Sequence, residues 1–201
     1  MSSKRKVGGK GVLVVLSAPS GCGKTSIVER LLKRHQDWMR SISATTRKPR
    51  VDEKDAQDYF FLSREDFEKK IREGKMLERA EICGNLYGTP REFVADQVAH
   101  GKTVIMTIDV QGTKQIMASW GKETPLLTVF ILPPSVKVLR ERLTGRNTET
   151  PEEIEKRIEL AQDEIKDAKL YHHTVINQNL DQAVLDVEEI ILNNSQTRRN
   201  N

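Results

Sequence analysis

Residues 12–26, VLVVLSAPSGCGKTS, decide how this chain begins to fold. The apolar, β-branched run at 12–16 is typical of a strand buried on both faces of a parallel sheet. Residues 27–35, IVERLLKRH, follow with the periodicity of a helix. Glycines, a lysine and hydroxyl residues lie between the two runs. The sequence therefore predicts a strand, a glycine-rich loop and a helix, in that order.

This loop has the composition of a phosphate-binding loop. Glycines let backbone N–H groups approach an anion closely, and the N-terminus of the following helix adds positive potential. The usual pattern has a glycine six positions before the lysine, where this chain has Ala18. An ordinary turn with chance glycines is the alternative. Because a strand precedes the loop and a helix follows it, we expect a nucleoside triphosphate there, bound by Ala18, Pro19, Ser20, Gly21, Cys22, Gly23, Lys24 and Thr25.

Two of these residues have specific predicted roles. Lys24 is placed to reach the β- and γ-phosphates, and the Thr25 hydroxyl to hold Mg²⁺. Cys22 is interpreted as a small residue that fits the loop rather than as a redox group.

Composition and charge narrow the class of protein. The chain has 201 residues, of which 31% are charged and 37% hydrophobic, as expected for one compact domain. Its formal charge of +4 is accounted for by basic clusters near the two ends, so we expect no nucleic-acid binding. The longest apolar run, LLTVFIL at 126–132, is too short to span a bilayer. We expect no membrane association and a cytoplasmic location.

The order of elements along the chain predicts an α/β fold. Further strand-like runs occur at 103–109, 126–132 and 174–177, and helical periodicity at about 24–35, 135–144, 151–170 and 180–192. Such alternation indicates a central parallel sheet with helices on both faces, the three-layer P-loop fold.

Residues 41–88 interrupt that alternation. Four short strand-like pieces surround one helix, which is capped by Ser63 and closed by Gly74. They predict a small sheet inserted into the core. A polar stretch, GRNTETPEE at 145–153, leads into a helix through a capping box at Thr150 and Glu153, and we expect it to form a mobile flap.

A second candidate site follows from SISATTRKPR at 41–50. Arg47 and Arg50 are separated by a stretch containing Pro49, and together they would clamp one phosphate from two sides, with Tyr59 as a third donor. A solvated basic loop is the alternative interpretation of this stretch.

Several motifs in order resemble the guanylate kinase family. They are TTRKPR, QDYFF, LERAEICGNLYGTPR, TIDVQG, LPPS and RNTETPEEIEKRI, and the resemblance extends from about residue 12 to residue 192. It implies transfer of the γ-phosphate of ATP to GMP, giving GDP and ADP. Ala56 stands where the family usually has glycine. Thr107 stands where it commonly has an acid that holds water around Mg²⁺, which implies weaker metal retention.

The resemblance also implies a division of the chain. We expect basic flexible tails at 1–11 and 193–201, and a single domain at 12–192. Its core would be 12–40, 90–134 and 171–192, its GMP-binding insertion of mixed sheet 41–89, and its helical lid 135–170.

The same resemblance assigns roles to particular residues. Those implied for the GMP phosphate are Arg47, Arg50, Tyr59 and Tyr87, and those for the guanine are Ser43, Glu78, Thr89 and Asp109. Lys24 and the flap arginines Arg142, Arg146 and Arg157 would act in catalysis, and Asn177 would lie near the adenine of ATP. A phosphate oxygen is already ionised at neutral pH, so the reaction needs positioning and charge neutralisation rather than a general base.

Two alternatives stay open at this point. One is another nucleoside-monophosphate kinase, or a kinase for a related phosphorylated sugar. The other is a guanylate-kinase-like interaction module without catalysis, although such modules typically lose the phosphate loop that is intact here. For the assembly we expect a monomer or a weak homodimer.

Overall fold

The structure is a computed structural model that describes residues 11–82, 84–121, 124–145 and 150–197. The strands are β1 Val12–Ser17, β2 Trp38–Arg40, β3 Ala44–Thr45, β4 Phe60–Phe61, β5 Met76–Ile82, β6 Asn85–Pro90, β7 Thr103–Thr107, β8 Leu126–Leu132 and β9 His173–Ile176. The helices are α1 Lys24–Arg34, α2 Arg64–Arg72, α3 Arg91–Ala99, α4 Val110–Ser119, α5 Val136–Thr144, α6 Pro151–Lys166 and α7 Leu180–Thr197, and a 3-10 turn spans Asp167–Leu170.

The core is a parallel sheet with strand order β2-β7-β1-β8-β9. Every residue of β1 is buried, because helices cover both faces of the sheet. On one face Val14 and Leu16 pack with apolar side chains of α1, α5, α6 and α7. On the other, Leu13 and Val15 pack with those of α3 and α4. The loop after β1 therefore leaves the middle of a rigid core.

The inserted region forms a second sheet with order β4-β3-β6-β5. The pair β3–β4 is parallel, whereas β3–β6 and β5–β6 are antiparallel, so the sheet is mixed as predicted. Phe67 of α2 is fully buried against Ala44 and Leu86 of this sheet. Ser63 caps α2 by accepting a hydrogen bond from the Asp66 N–H, again as predicted.

Three elements have no counterpart among those predicted from the sequence. They are β2, which has only three residues, and the helices α3 and α4. The α3 sequence buries Val94 and Val98 but has little helical periodicity. Before α4, the apolar run predicts a strand through residue 109, whereas β7 ends at Thr107 and Asp109 caps the helix by accepting from the Gly112 N–H at 2.7 Å.

Helix ends also differ from the expected ones. The predicted helix at 151–170 ends at Lys166 and continues as the 3-10 turn, and α7 runs to Thr197 rather than to about residue 192. The Thr150–Glu153 capping box of α6 is confirmed in both of its hydrogen bonds. In the part of the chain that the structure describes, no helix has the length and apolar character needed to cross a membrane.

Candidate active site

The phosphate loop joins β1 to α1 through two residues in left-handed backbone conformation. Gly21 has φ 90° and Gly23 has φ 81°, values that side-chain-bearing residues rarely adopt. Close packing fixes the loop from outside. A Cβ atom on Gly21 would lie 3.0 Å from side-chain carbons of Leu139 and Leu143 on α5. The backbone conformation thus favours glycine here, and the two leucine side chains would have to shift to admit a Cβ atom.

Lys24 is the first residue of α1, and its Nζ donates to the Ile108 carbonyl at 3.3 Å. Burial lowers the pKa of this ammonium below its ordinary value, with the nearby charge of Arg40 as a smaller cause in the same direction. Glu164 and Asp109 oppose that shift. A bound anion would stabilise the charged lysine further, so the position suits a phosphate ligand.

Two other side chains of the loop differ in their exposure to solvent. Thr25 is exposed beside Lys24, where its hydroxyl is accessible to a ligand. Cys22 is 1% exposed, and burial raises its pKa to about 12. Its thiol is therefore protonated at neutral pH and acts as a small apolar group.

A cavity of about 780 Å³ lies between the core sheet and the inserted sheet. It collects predicted residues from both, namely Lys24, Ser43, Tyr59, Glu78, Tyr87 and Asp109. It also includes residues that sequence reasoning did not assign to a substrate pocket, among them Arg40, Glu53 and Thr107. A single cavity therefore connects the phosphate-loop lysine to the inserted sheet.

At the inserted sheet, three predicted residues form one hydrogen-bonded chain. The Thr89 hydroxyl donates to Glu78 Oε1 at 2.8 Å and lies 3.3 Å from the Ser43 hydroxyl. Glu78 is 8% exposed, and burial raises its pKa, an effect that the Thr89 hydrogen bond partly offsets. Glu78 lines the cavity, and a carboxylate that accepts one hydroxyl bond has further acceptor capacity, which suits a ligand edge rich in N–H donors.

In the predicted phosphate clamp, one of the two arginines is already paired with a carboxylate. Arg47 makes a two-pronged ion pair with Glu53, with Nη–Oε distances of 2.9 and 2.8 Å, and its guanidinium lies 5.6 Å from the centre of the Tyr59 ring. Glu53 also accepts from the Arg50 backbone N–H at 2.8 Å, and these bonds lower its pKa to about 2. Glu53 lines the cavity, whereas the Arg47 and Arg50 side chains do not.

The predicted lid contacts the phosphate loop. On α6, Arg157 Nη1 donates to the Ser20 hydroxyl at 2.5 Å, and on α5, Arg142 Nη2 donates to the Asn177 carbonyl at 2.8 Å. The buried Asn177 side chain donates through Nδ2 to the Cys22 carbonyl at 2.9 Å. Asn177 thus stabilises the phosphate loop through this hydrogen bond to its backbone. The remaining predicted flap arginine, Arg146, lies outside the described residues.

Comparison with known proteins connects this cavity and loop to one family. The sequence model described as guanylate kinase matches residues 10–194. The chain belongs to the guanylate kinase family. The guanylate kinase of Synechocystis sp. is 47% identical over 182 residues, covering 90% of this chain and 94% of that protein. For the guanylate kinase of Clostridium perfringens the identity is 43% over 192 residues, covering 96% and 88% respectively.

A solved structure agrees with the sequence comparison. The crystal structure of guanylate kinase from Anaplasma phagocytophilum matches with a TM-score of 0.70 at 30% identity, covering 94% of this chain and 89% of that chain. The predicted three-layer fold is therefore confirmed. As a guanylate kinase, the protein is an ATP:GMP phosphotransferase.

For Arg40 and Glu53, two of the cavity residues that the sequence did not predict for this guanylate kinase, the reason can be identified. Arg40 ends a three-residue strand whose signal is too short to recognise, so its position at the mouth of the core sheet is not expected. Glu53 follows the RKPR motif, and a carboxylate is not an obvious member of a phosphate site. The short spacing of six residues between Arg47 and Glu53 is the one feature of the sequence that indicates this ion pair.

Proposed function

We propose that GMP occupies the cavity between the two sheets, with its base at Glu78 and its phosphate towards Lys24. The observation that carries this proposal is that a single cavity is lined by both residues. Guanine presents two N–H donors on one edge, and an ionised carboxylate can accept both. Ser43 and Thr89 adjoin that carboxylate, and Asp109 lines the same cavity. Asp109 would have one oxygen available, because the other caps α4.

The acceptor phosphate would be held by the clamp of Arg47, Arg50, Tyr59 and Tyr87. Tyr59 and Tyr87 line the cavity, which supports their part in the clamp. Arg47 is held by Glu53 at the cavity's edge, so its guanidinium is already oriented before a ligand arrives. The Arg50 side chain does not line the cavity, so the loop that carries it would have to move towards the ligand for Arg50 to bind the phosphate.

ATP would bind over the phosphate loop, residues 18–25, with its phosphates on the backbone N–H groups of the loop residues other than Pro19. The glycine conformations at Gly21 and Gly23 support this, as does the position of Lys24. Lys24, Arg142, Arg146 and Arg157 would neutralise the charge that spreads over the transferred group. The contact between Arg157 and Ser20 supports a lid that reaches the loop.

Guanylate kinases use ATP with a divalent metal, and Mg²⁺ is the ion we propose here. The exposed Thr25 hydroxyl fits it as one oxygen ligand, with phosphate oxygens and water as the others. When bound, the ion would neutralise phosphate charge. The Thr107 hydroxyl already accepts a hydrogen bond from Arg40, so it would bind metal-bound water only weakly.

The test is a coupled ADP-release assay with ATP and each nucleoside monophosphate in turn. We expect turnover with GMP and much less with AMP, CMP or UMP. A Lys24→Met variant, which removes the charge at the phosphate loop, serves as the inactive control. Equal turnover with AMP and GMP would overturn the assignment of Glu78 to the base.

A further inference from the structure

Arg40 lies where the core sheet meets the cavity. It is the last residue of β2, which pairs in parallel with β7 so that Arg40 is opposite Ile105. The chain of β7 continues to Thr107, and both Arg40 and Thr107 line the cavity together with Lys24. This is the carboxyl end of a parallel sheet, the edge at which α/β proteins bind ligands.

The hydrogen bonding of Arg40 leaves most of its guanidinium available. Its Nη2 donates to the Thr107 hydroxyl at 3.3 Å, a neutral acceptor. Within the described ranges it forms no ion pair with a carboxylate, in contrast to Arg47, whose charge is matched by Glu53. A guanidinium has more N–H donors than one hydroxyl can accept, and its planar edge suits a phosphate.

The charge of Lys24 beside Arg40 also favours an anion. Lys24 is close enough to the exposed Arg40 for the two like charges to repel each other. Carboxylates also line the cavity. Glu53 is paired with Arg47, Glu78 accepts from Thr89, and Asp109 caps α4 while its charge opposes that of Arg40 at Lys24. Asp58 lies on the opposite, inserted side, where it accepts from the Lys54 backbone N–H.

From these contacts we infer that Arg40 is a further phosphate-binding residue, which contacts the phosphate of GMP beside Lys24. The inference rests on the proposed position of GMP. It adds a ligand contact from the core sheet to a clamp otherwise supplied by the inserted region.

The test compares Arg40→Gln and Arg40→Lys with the parent protein, by calorimetric titration with GMP and with guanosine in the absence of ATP. Loss of one charge-assisted contact should weaken GMP binding about ten- to hundredfold in Arg40→Gln. Arg40→Lys keeps the charge but not the planar fork, so its affinity for GMP should lie between that of the parent and that of Arg40→Gln. Guanosine has no phosphate, so all three proteins should bind it equally.

Arg72→Gln is the matched control, because it removes the same charge from an exposed position on α2 outside the cavity. It should bind GMP as the parent does. Unchanged GMP affinity in Arg40→Gln would overturn the inference, and so would an equal loss for guanosine. If the parent itself neither bound nor phosphorylated GMP, the proposed function would fail instead, so the two failures are distinguishable.

Discussion

Ala56 has a backbone φ of 58° and is the one non-glycine residue in the described ranges with a positive value. Its N–H donates to the Tyr59 carbonyl at 2.8 Å, so the turn that ends at the tyrosine keeps it in this conformation. The left-handed region costs an L-residue with a Cβ roughly 1–2 kcal/mol. The strain lies in the segment that connects the arginine clamp to Tyr59.

Replacing Ala56 by glycine should therefore stabilise the protein. The relief of strain exceeds the added chain entropy of glycine, so we expect a gain of about 1 kcal/mol and a rise in Tm of roughly 2–4 °C. Thermal unfolding measures it. Ala95→Gly in the middle of α3 is the control and should lower the Tm. A lower Tm for Ala56→Gly as well would mean that the turn is not strained.

Glu78 connects base recognition to stability. Glu78→Gln keeps the shape but sets a donor against a guanine N–H, so kcat/KM for GMP should fall by at least about a hundredfold, while the KM for ATP stays nearly unchanged. The preference for GMP over AMP should narrow. Steady-state kinetics with both acceptors measure this, and Glu81→Gln, an exposed position on the same strand, is the control. An undiminished preference in Glu78→Gln would remove Glu78 from the specificity argument.

The same substitution should stabilise the protein at neutral pH. Burial raises the pKa of Glu78 above its ordinary value of 4.5, so the folded state binds this proton more tightly than the unfolded state. The parent consequently loses stability as pH rises through the raised pKa, whereas a glutamine has no such dependence. The Tm of Glu78→Gln should exceed that of the parent at pH 7, and the difference should shrink towards pH 4.5.

At the scale of elements, the phosphate loop depends on Asn177, which comes from the loop after β9. A Cβ atom on Gly23 would lie 2.5 Å from Asn177 Nδ2, and Gly23 also has a left-handed backbone. Gly23→Ala should therefore both destabilise the fold and raise the KM for ATP strongly. Chemical unfolding and kinetics test the two effects.

Gly74 provides the control for that substitution. Its φ is 66°, yet in the part of the chain that the structure describes nothing lies within 4 Å of the position that a Cβ atom would take, so Gly74→Ala isolates the cost of conformation. That cost is about 1 kcal/mol. If both variants lost the same stability and bound ATP equally well, Asn177 would not be what fixes the loop.

Elements with strong local signals were predictable from the sequence, and contacts between distant elements were not. The buried run of β1, the glycine loop and the caps at Ser63 and Thr150 are encoded within a few residues. Helix α3 lacks clear periodicity, whereas helix α4 follows directly on the apolar run of β7, and its cap is a residue to which the family resemblance gives a ligand role. The Arg47–Glu53 pair depends on the conformation of the loop between the two residues, and the position of Arg40 depends on tertiary packing.

At the scale of the whole molecule, the lid contacts the phosphate loop through Arg157, and one cavity joins Lys24 of the loop to the inserted sheet. Exclusion of water protects ATP from hydrolysis, so we expect both parts to close when both substrates are bound. In small-angle scattering, GMP with a non-hydrolysable ATP analogue should reduce the radius of gyration more than either nucleotide alone. The Lys24→Met variant is the control. Equal dimensions with and without both nucleotides would contradict closure.

The strand order of the core sheet has a consequence for biosynthesis. β1 is synthesised before its neighbours β7 and β8, which begin at residues 103 and 126, so the backbone N–H and C=O groups along both of its edges have no strand partner for much of translation. The inserted sheet needs only residues 44–90, a contiguous segment, and is complete before the first partner of β1 has been made. The nascent chain thus exposes the strand preceding the phosphate loop longest, and a chaperone that shields apolar strands would act there.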